Sequence, residues 1–350
     1  MIDWQSDASH VLLNPRMPER ERATLESYVI PLRRHIWLAT SGTTGALKMT
    51  ALSKDAMLAS AAAVNRRLES TADDVWGCVL PTFHVGGLGI YARAHLSGAR
   101  VVSMPWSASE FAGRRDLTLA SLVPAQVSDL VTGGWSAQPS LRAIVVGGGA
   151  LSTSLYEEAW ELGWPVLPSY GMTETCSQVA TAEPGSAALV MLDHAEAGVE
   201  ADGRLRFKGT SLLAGYGTAE GFVDPRQDGW FVTNDIGEVR GRELRVLGRS
   251  GEFVKIGGES VVLARLDRIV ESVAGPKAAV VAVPDARLGH VICLAVERGA
   301  DEDAVSRAYD AQVLPFERAR RVVMVDRLPR TELGKLRRAA LLELVSRIVE

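Results

Sequence analysis

Short runs of apolar, β-branched residues alternate with alanine- and leucine-rich stretches through the first half of this 350-residue chain, and this alternation restricts its fold most. The alanine-rich stretch 55–69 favours a helix. Strands separated by helices predict an α/β fold with largely parallel sheets. The predicted strands are His35–Thr40, Asp74–Pro81, Ala99–Pro105, Leu117–Pro124 and Leu141–Gly148.

The pattern changes near Gly203, where closely spaced strands with turn glycines predict a β-rich subdomain. A compact α+β unit follows, with a predicted helix at Leu263–Val273. We therefore expect a large N-terminal domain, residues 1–248, that combines a parallel αβα-type sheet with the β-rich subdomain. Residues 249–350 are expected to form a small, mobile α+β domain, with the boundary around Gly251.

Charge and composition exclude several classes of function. The apolar fraction is 47%, the charged fraction is 23% and the formal net charge is −4, so nothing attracts nucleic acid or an anionic membrane over long range. No apolar run approaches the ~20 residues that span a bilayer, and the N-terminus lacks the features of a secretory signal. Cys78, Cys176 and Cys293 are odd in number and far apart, which predicts a reducing, cytoplasmic location.

A loop rich in glycine and hydroxyl groups, Thr40–Lys48, is expected to follow a strand and precede a helix. Its glycines allow a tight turn that directs backbone amides at an anion, and its hydroxyls and lysine add donors. That combination suits the polyphosphate of ATP. The loop is not the P-loop of NTPases, because Leu47 precedes the lysine and Met49 follows it. An ordinary strand–helix turn is the alternative interpretation.

Three further segments carry groups suited to a nucleotide. His84 is expected at a strand end, followed by glycines, and Gly147–Gly149 follow another strand. After a third short strand, Tyr170 offers a ring face for a base, Thr173 a hydroxyl, and Glu174 a hard oxygen ligand for Mg²⁺. A single histidine or acidic residue is more often structural, so the order of the segments carries the argument.

In this order, the segments resemble the core motifs of the adenylate-forming superfamily of acyl-CoA synthetases, luciferases and adenylation domains. The resemblance continues downstream through Gly203–Tyr216, Gly229–Val239, Gly248–Glu259 and Leu328–Arg338. Three parts are particularly similar to the family of 2-succinylbenzoate–CoA ligases: Ser169–Gln178, Ser121–Leu130 and the histidine segment Pro81–Gly89.

The resemblance implies an AMP-forming acid–thiol ligase of menaquinone biosynthesis that uses ATP, Mg²⁺ and coenzyme A. Its partner would be a small carboxylic acid, 2-succinylbenzoate, whose second carboxylate could be met by Gln126, Ser177 or Gln178. Two alternatives stay open: another aryl- or acyl-CoA ligase, and a non-catalytic AMP/ATP-binding module. A serine hydrolase is disfavoured because no Gly-x-Ser-x-Gly motif occurs.

The resemblance also assigns roles to individual residues. Lys335 would bridge the substrate carboxylate and the α-phosphate, with Thr173 nearby, Glu174 holding Mg²⁺ and His84 lining the acyl pocket or the pantetheine tunnel. The residues that would enclose the β- and γ-phosphates are Thr40, Ser41, Gly42, Thr43, Thr44 and Lys48.

The nucleoside and coenzyme A have their own implied residues. Tyr170 would stack on the adenine, Asp235 would accept hydrogen bonds from the ribose, and Arg249 would assist at the ribose or phosphate. Rotation of the C-terminal domain would withdraw Lys335 after adenylation and present a glycine loop to pantetheine. The implied glycines are Gly147, Gly148, Gly149 and Gly171 for the nucleotide and Gly257 and Gly258 for coenzyme A.

The chain departs from the superfamily pattern in ways that affect its fold. Leu47 stands in place of the usual proline and Asn234 in place of a glycine. The phosphate loop begins already at Thr40, so a long N-terminal part of the usual large domain has no counterpart here. One sheet is therefore expected to be trimmed or rebuilt, which would expose apolar surface for a homodimer partner.

Overall fold

A computed structural model describes residues 2–41, 47–249, 253–256, 259–285, 288–331 and 334–349. The chain divides into two compact units. The first unit comprises Met1–Glu200, Arg206–Thr233 and Val239–Arg245. The second unit comprises Ala201–Leu205, Asn234–Glu238 and Val246–Glu350. The expected boundary at Gly251 lies outside the described residues.

The strands and helices alternate through most of the described chain. The strands are β1 His10–Leu12, β2 His35–Ser41, β3 Leu47–Ser53, β4 Val75–Cys78, β5 Arg100–Ser103, β6 Leu119–Leu122, β7 Ala143–Val146, β8 Val166–Met172, β9 Ser177–Thr181, β10 Leu189–Met191, β11 Ala195–Val199, β12 Arg204–Gly209, β13 Gly215–Thr218, β14 Gly221–Val223, β15 Phe231–Arg240, β16 Glu243–Arg249, β17 Phe253–Ile256, β18 Glu259–Val262, β19 Ala278–Asp285, β20 Gly289–Glu297 and β21 Ala319–Val325. The α-helices are α1 Glu19–Glu26, α2 Lys54–Leu68, α3 Val85–Ser97, α4 Ala108–Ala112, α5 Pro124–Thr132, α6 Thr153–Glu161, α7 Leu263–Ala274, α8 Glu302–Asp310 and α9 Arg338–Val349.

The largest sheet has the strand order β11-β12-β15-β16-β10-β9-β8-β7-β6-β4-β5. Its parallel part runs from β8 through β7, β6 and β4 to β5. Strands β6 and β7 are buried at every residue, as expected where helices cover both faces of a parallel sheet. Side chains of α4, α5 and α6 pack on one face, and those of α2 and α3 pack on the other. The predicted α/β fold class is confirmed.

The second sheet of the first unit has the order β1-β2-β3-β13-β14. It corrects one prediction: the glycine- and hydroxyl-rich loop joins two antiparallel strands, and Thr40 pairs with Lys48. Strand β3 forms because its alternate residues Met49 and Ala51 face an apolar cluster. Helix α2 starts only after it, where the Ser53 side chain accepts a 3.0 Å hydrogen bond from the backbone N–H of Ala56.

The N-terminal segment is anchored to the start of α2 by a buried ammonium group. Lys54 is 0% exposed. Its Nζ donates to the backbone oxygens of Asp3 (2.5 Å) and Ser6 (2.9 Å) and to Ser6 Oγ (3.1 Å). Trp4, between them, is buried and stacks on His95 of α3. Residues 3–6 are therefore an integral part of the first unit.

The second unit contains a sheet of order β18-β17-β20-β19, with β21 pairing in parallel with β20. Strand β19 alternates between two cores, because successive side chains of a strand point to opposite faces. Val280 packs in a cluster with residues of α7 and α8, whereas Val281 packs in a cluster with residues of α9. The predicted C-terminal α+β unit thus has helices on both faces of its sheet. No helix in the described part of the chain is long and apolar enough to cross a membrane.

Candidate active site

The glycine loop after β7 and the aromatic residue on β8 lie at one edge of the parallel sheet. Val146, the last residue of β7, pairs with Pro168 of β8, so Gly147–Gly149 and Tyr170 both follow this pair toward the carboxyl ends of their strands. Ligands of open α/β sheets bind at this edge. The Tyr170 ring contacts Phe207 with centroids 5.7 Å apart. The sequence had predicted that Tyr170 follows the strand, but Tyr170 is part of β8 itself.

Gly171 has no room for a side chain. The register of the antiparallel pairing between β8 and β9 shifts between Tyr170 and Gly171. A Cβ at Gly171 would lie 1.8 Å from the backbone oxygen of Ser177. Only glycine allows this close approach, which brings Tyr170 and Glu174 to the same edge of the sheet.

Three side chains of the first unit form a compact polar cluster, which we call the Lys48–Glu174–Tyr216 cluster. Lys48 Nζ lies 4.0 Å from Glu174 Oε1 and 3.2 Å from the centroid of the Tyr216 ring. The Tyr216 hydroxyl donates a 2.9 Å hydrogen bond to Glu174 Oε1. The structure therefore brings together two of the predicted site residues with a third that the sequence did not single out.

The cluster is half-buried, and this shifts its ionisation. Burial lowers the pKa of the Lys48 ammonium, against the opposing effect of the Glu174 carboxylate. Burial, the Glu174 charge and the hydrogen bond to it raise the pKa of the Tyr216 phenol well above its usual range. Tyr216 therefore stays protonated and acts as a donor to Glu174.

Glu174 and its surroundings suit Mg²⁺ that arrives with phosphate. Mg²⁺ is usually held by one or two carboxylates together with substrate phosphates, and it keeps several waters. Glu174 supplies one carboxylate, and Lys48 supplies a cation beside it for the phosphates. No group of three or more potential metal ligands occurs among the described residues. The Glu174 carboxylate and the Lys48 ammonium beside it fit a metal–nucleotide complex.

Two other predicted residues lie near these elements. Thr173 opens the short 3-10 helix Thr173–Thr175 that carries Glu174. Thr40, on β2, forms a 2.9 Å hydrogen bond with Thr50 of β3. His84 is the residue immediately before α3, rather than the end of a strand as predicted, because β4 already ends at Cys78.

Arg93 on α3 is a site feature that the sequence analysis missed. It is 2% exposed. Its Nη1 donates to Ser121 (3.1 Å), and its Nη2 donates to Ser177 (3.1 Å) and Gln178 (2.6 Å). These partners are neutral, and Nε has no partner among the described residues. Burial lowers the pKa of the guanidinium to about 10, so it stays cationic at neutral pH.

Of the residues predicted to meet a second carboxylate, Ser177 and Gln178 hold Arg93, whereas Gln126 has a structural role. Gln126 Oε1 accepts a 3.0 Å hydrogen bond from the backbone N–H of Val123 at the start of α5. A Cβ at Gly89 would lie 3.2 Å from Arg93 Nη2. Gly89, which has no side chain, therefore leaves room beside the guanidinium.

In the second unit, Asp235 on β15 and Arg249 on β16 form an ion pair. Their side chains approach to 3.1 Å, and that of Asp235 is 16% exposed. Asp235 lies within a strand and not in a turn. A carboxylate fixed by an arginine is a suitable acceptor for paired hydroxyls.

Lys335 lies on the segment between β21 and α9 of the same unit. Its backbone N–H donates to Thr331 Oγ1 (3.1 Å), and its backbone oxygen accepts from the N–H of Thr331 (2.7 Å). These two hydrogen bonds hold the lysine backbone. The predicted site residues that lie outside the described part of the structure are Gly42, Thr43, Thr44, Gly257 and Gly258, together with the side chain of Ser41.

Comparison with known families assigns the chain to a class. The family model for AMP-binding enzyme matches residues 36–258, and the model for AMP-binding enzyme C-terminal domain matches residues 267–335. The chain belongs to the AMP-binding enzyme family, and the predicted resemblance to adenylate-forming enzymes is confirmed.

Individual relatives narrow the family. A 2-succinylbenzoate–CoA ligase of Listeria monocytogenes is 30% identical over 87% of this chain and 68% of its own length. One of Bacillus cereus is 30% identical over 94% of this chain and 73% of its own length. The o-succinylbenzoate CoA synthetase of Bacillus subtilis, in complex with its acyl-adenylate intermediate, matches with a TM-score of 0.80 and 29% identity over 87% of this chain and 68% of that one. The chain thus falls among the 2-succinylbenzoate–CoA ligases, as predicted.

Proposed function

We propose that this chain is an ATP-dependent carboxylate–CoA ligase that converts 2-succinylbenzoate to its coenzyme A thioester. The observation that carries the proposal is the approach of Lys48 Nζ to within 4.0 Å of Glu174 Oε1. An ammonium and a carboxylate this close together provide a cation that can bind phosphates and a ligand for a metal ion. The B. subtilis relative has also been solved in complex with ATP and a magnesium ion, with a TM-score of 0.78 and 28% identity.

The first half-reaction would join the acid to AMP. A carboxylate oxygen of the acid attacks the α-phosphorus of ATP, and pyrophosphate leaves with the electron pair of the broken P–O bond. Mg²⁺, when bound to Glu174 and the phosphates, would neutralise part of their charge. Lys48 is proposed to bind the β- and γ-phosphates and Lys335 to bridge the carboxylate and the α-phosphate, so that repulsion between the anions falls.

The second half-reaction would form the thioester. The thiol of coenzyme A attacks the acyl carbon, AMP leaves, and the thiol proton is released. We also propose that residues 1–248 and a mobile domain 249–350 are the two structural parts, that Asp235 binds the ribose, and that Gly257 and Gly258 contact pantetheine. Rotation of the mobile domain would exclude water from an adenylate that hydrolyses easily.

Arg93 supports a substrate with a second negative charge. The unpaired Nε and the purely neutral partners of Nη1 and Nη2 leave the guanidinium without a counter-charge among the described residues. A buried charge of this kind is costly unless a ligand pairs with it. A carboxylate is the partner that a guanidinium fork fits best. 2-Succinylbenzoate has two carboxylates, so one can be activated while the other pairs with Arg93.

Two further proposals concern the cellular location of the enzyme and its oligomeric state. Its three cysteines are buried and free, which supports a reducing cytoplasm. Val11 on β1 and Val223 on β14 are 40% and 50% exposed at opposite edges of the five-stranded sheet. Exposed apolar edges support a homodimer, which sedimentation at several concentrations would test.

A panel of acids tests the proposed function. Acid-dependent exchange of pyrophosphate into ATP should be fastest with 2-succinylbenzoate, slower with benzoate and slowest with fatty acids, and coenzyme A should then yield the matching thioester. A faster rate with another aryl or fatty acid would favour another acyl-CoA ligase. Nucleotide binding without exchange for any acid would favour a non-catalytic AMP/ATP-binding module.

A further inference from the structure

Tyr216 contacts both charged members of the Lys48–Glu174–Tyr216 cluster, although it is not among the residues that the sequence motifs assign to ATP. Its hydroxyl donates to Glu174 Oε1 (2.9 Å), and its ring lies 3.2 Å from Lys48 Nζ. One side chain thus makes a hydrogen bond to the carboxylate and a cation–π contact with the ammonium.

The strand register explains how Tyr216 reaches both groups. Tyr216 on β13 pairs with Thr50 of β3. Lys48 lies two residues before Thr50, on the same face of the strand, so Lys48 and Tyr216 are diagonal neighbours. The opposite face of β3, with Met49 and Ala51, packs in the apolar cluster. The sheet therefore fixes the distance between the ring and the ammonium.

The segment before β13 also fixes the backbone of Glu174. The backbone N–H of Leu213 donates a 2.8 Å hydrogen bond to the backbone oxygen of Glu174. Residues 213–216 thereby hold Glu174 at its main chain and at its carboxylate. A hydrogen-bond donor behind a metal-binding carboxylate selects its rotamer and directs its other lone pairs toward the metal.

We propose that Tyr216 is a positioning residue that orients Glu174 for Mg²⁺ and holds Lys48 in place for the phosphates of ATP. The inference rests on the proposed function, because that function makes Glu174 the metal ligand and Lys48 the phosphate cation. Tyr216 itself contacts neither metal nor nucleotide in this assignment. Its two contacts involve different chemical groups, because the hydroxyl donates a hydrogen bond to Glu174 and the ring contacts the Lys48 ammonium.

Two substitutions separate the contacts. Tyr216→Phe keeps the ring but removes the donor to Glu174, and Tyr216→Leu removes both. Calorimetric titration of Mg·ATP and of ATP with EDTA, without acid or coenzyme A, measures nucleotide binding apart from catalysis. Tyr216→Phe should weaken Mg·ATP binding about tenfold while metal-free ATP binding stays within about twofold of wild type. Tyr216→Leu should also weaken metal-free ATP binding, by about fivefold.

A matched control removes a buried tyrosine hydroxyl elsewhere. In the second unit, Tyr309 donates a 3.0 Å hydrogen bond to the backbone oxygen of Glu317. Tyr309→Phe should lower the Tm without changing either affinity. If Tyr216→Phe lowers the Tm but binds Mg·ATP like wild type, Tyr216 is merely structural and the inference is wrong. Because the titrations need no acid, they still test Tyr216 if wild type shows no acid-dependent exchange, an outcome that would count against the proposed function alone.

Discussion

Arg93 Nη2 and Gln178 Oε1 lie 2.6 Å apart, and their hydrogen bond links helix α3 to strand β9 across 85 residues of sequence. The bond uses the amide oxygen of a neutral residue to orient a buried cation. A neutral partner leaves the positive charge available, whereas a carboxylate would have neutralised it. The charge is therefore available to select the substrate.

Replacing Arg93 should change substrate preference rather than ATP use. Arg93→Gln removes the cation, and kcat/KM for 2-succinylbenzoate should fall by about 100-fold, which is toward the lower end of the cost of breaking a buried charge pair. The value for benzoate should change much less. Arg93→Lys keeps the charge without the planar fork and should recover part of the loss. Equal losses with both acids would contradict a role in recognising the second carboxylate.

Replacing Asp235 should weaken the use of ATP. Asp235→Ala removes the proposed ribose acceptor and its ion pair with Arg249. KM for ATP should rise by about 10- to 100-fold, as expected for lost hydrogen bonds to a charged group, while KM for coenzyme A should stay near its original value.

The control for Asp235 is another aspartate paired with an arginine. Asp224 and Arg226 form a surface ion pair at 2.8 Å. Asp224→Ala should leave both KM values unchanged. A parallel rise in KM for ATP and coenzyme A in Asp235→Ala would point to general disruption of the fold.

Lys335 should matter in only one half-reaction. Lys335→Ala should lower the rate of adenylation by at least about 100-fold, because no ammonium would bridge the substrate carboxylate and the α-phosphate. Formation of the thioester from supplied acyl-adenylate should continue. Single-turnover measurements of each half-reaction check this, with the exposed Lys277→Ala as the control. Similar losses in both half-reactions would exclude the proposed role.

His194 should make stability depend on pH. Burial lowers the pKa of its imidazole to about 4, although Asp193 opposes the shift. The unfolded chain binds the proton near pH 6.5, so the stabilisation is complete above that pH and is lost as the pH falls toward 4. The loss should be at most about 3 kcal/mol. Urea unfolding between pH 4 and 7 measures it, and a His194→Gln variant with the same pH dependence as wild type would show that His194 is not its source.

The sequence predicts repeating patterns well and contacts across the fold poorly. The alternation of apolar runs predicted strands near those observed, and the alanine-rich stretch before Glu69 is helix α2, Lys54–Leu68. Strand β3 was missed because its conformation depends on pairing with β2 and β13 as well as on its own alternation, and that pairing is a contact across the fold.

The residues of the candidate site also differ in whether motifs predict them or only contacts across the fold reveal them. Lys48 and Glu174 were predicted from motifs, and the structure brings them together. Arg93 was missed because a single arginine in a helix looks like a solvated surface residue, and only the fold surrounds it with Ser121, Ser177 and Gln178. A segment resembling the family included Tyr216, but no role was assigned to it. Its partner Glu174 is 42 residues away in sequence.

The anchoring of Lys54 has a consequence for the lifetime of the protein. Every acceptor described for its Nζ belongs to Asp3 or Ser6. Proteolytic loss of these residues would leave a buried cation without any of the acceptors described for it, a costly state that favours unfolding. Clipped molecules would then be cleared by cellular proteases.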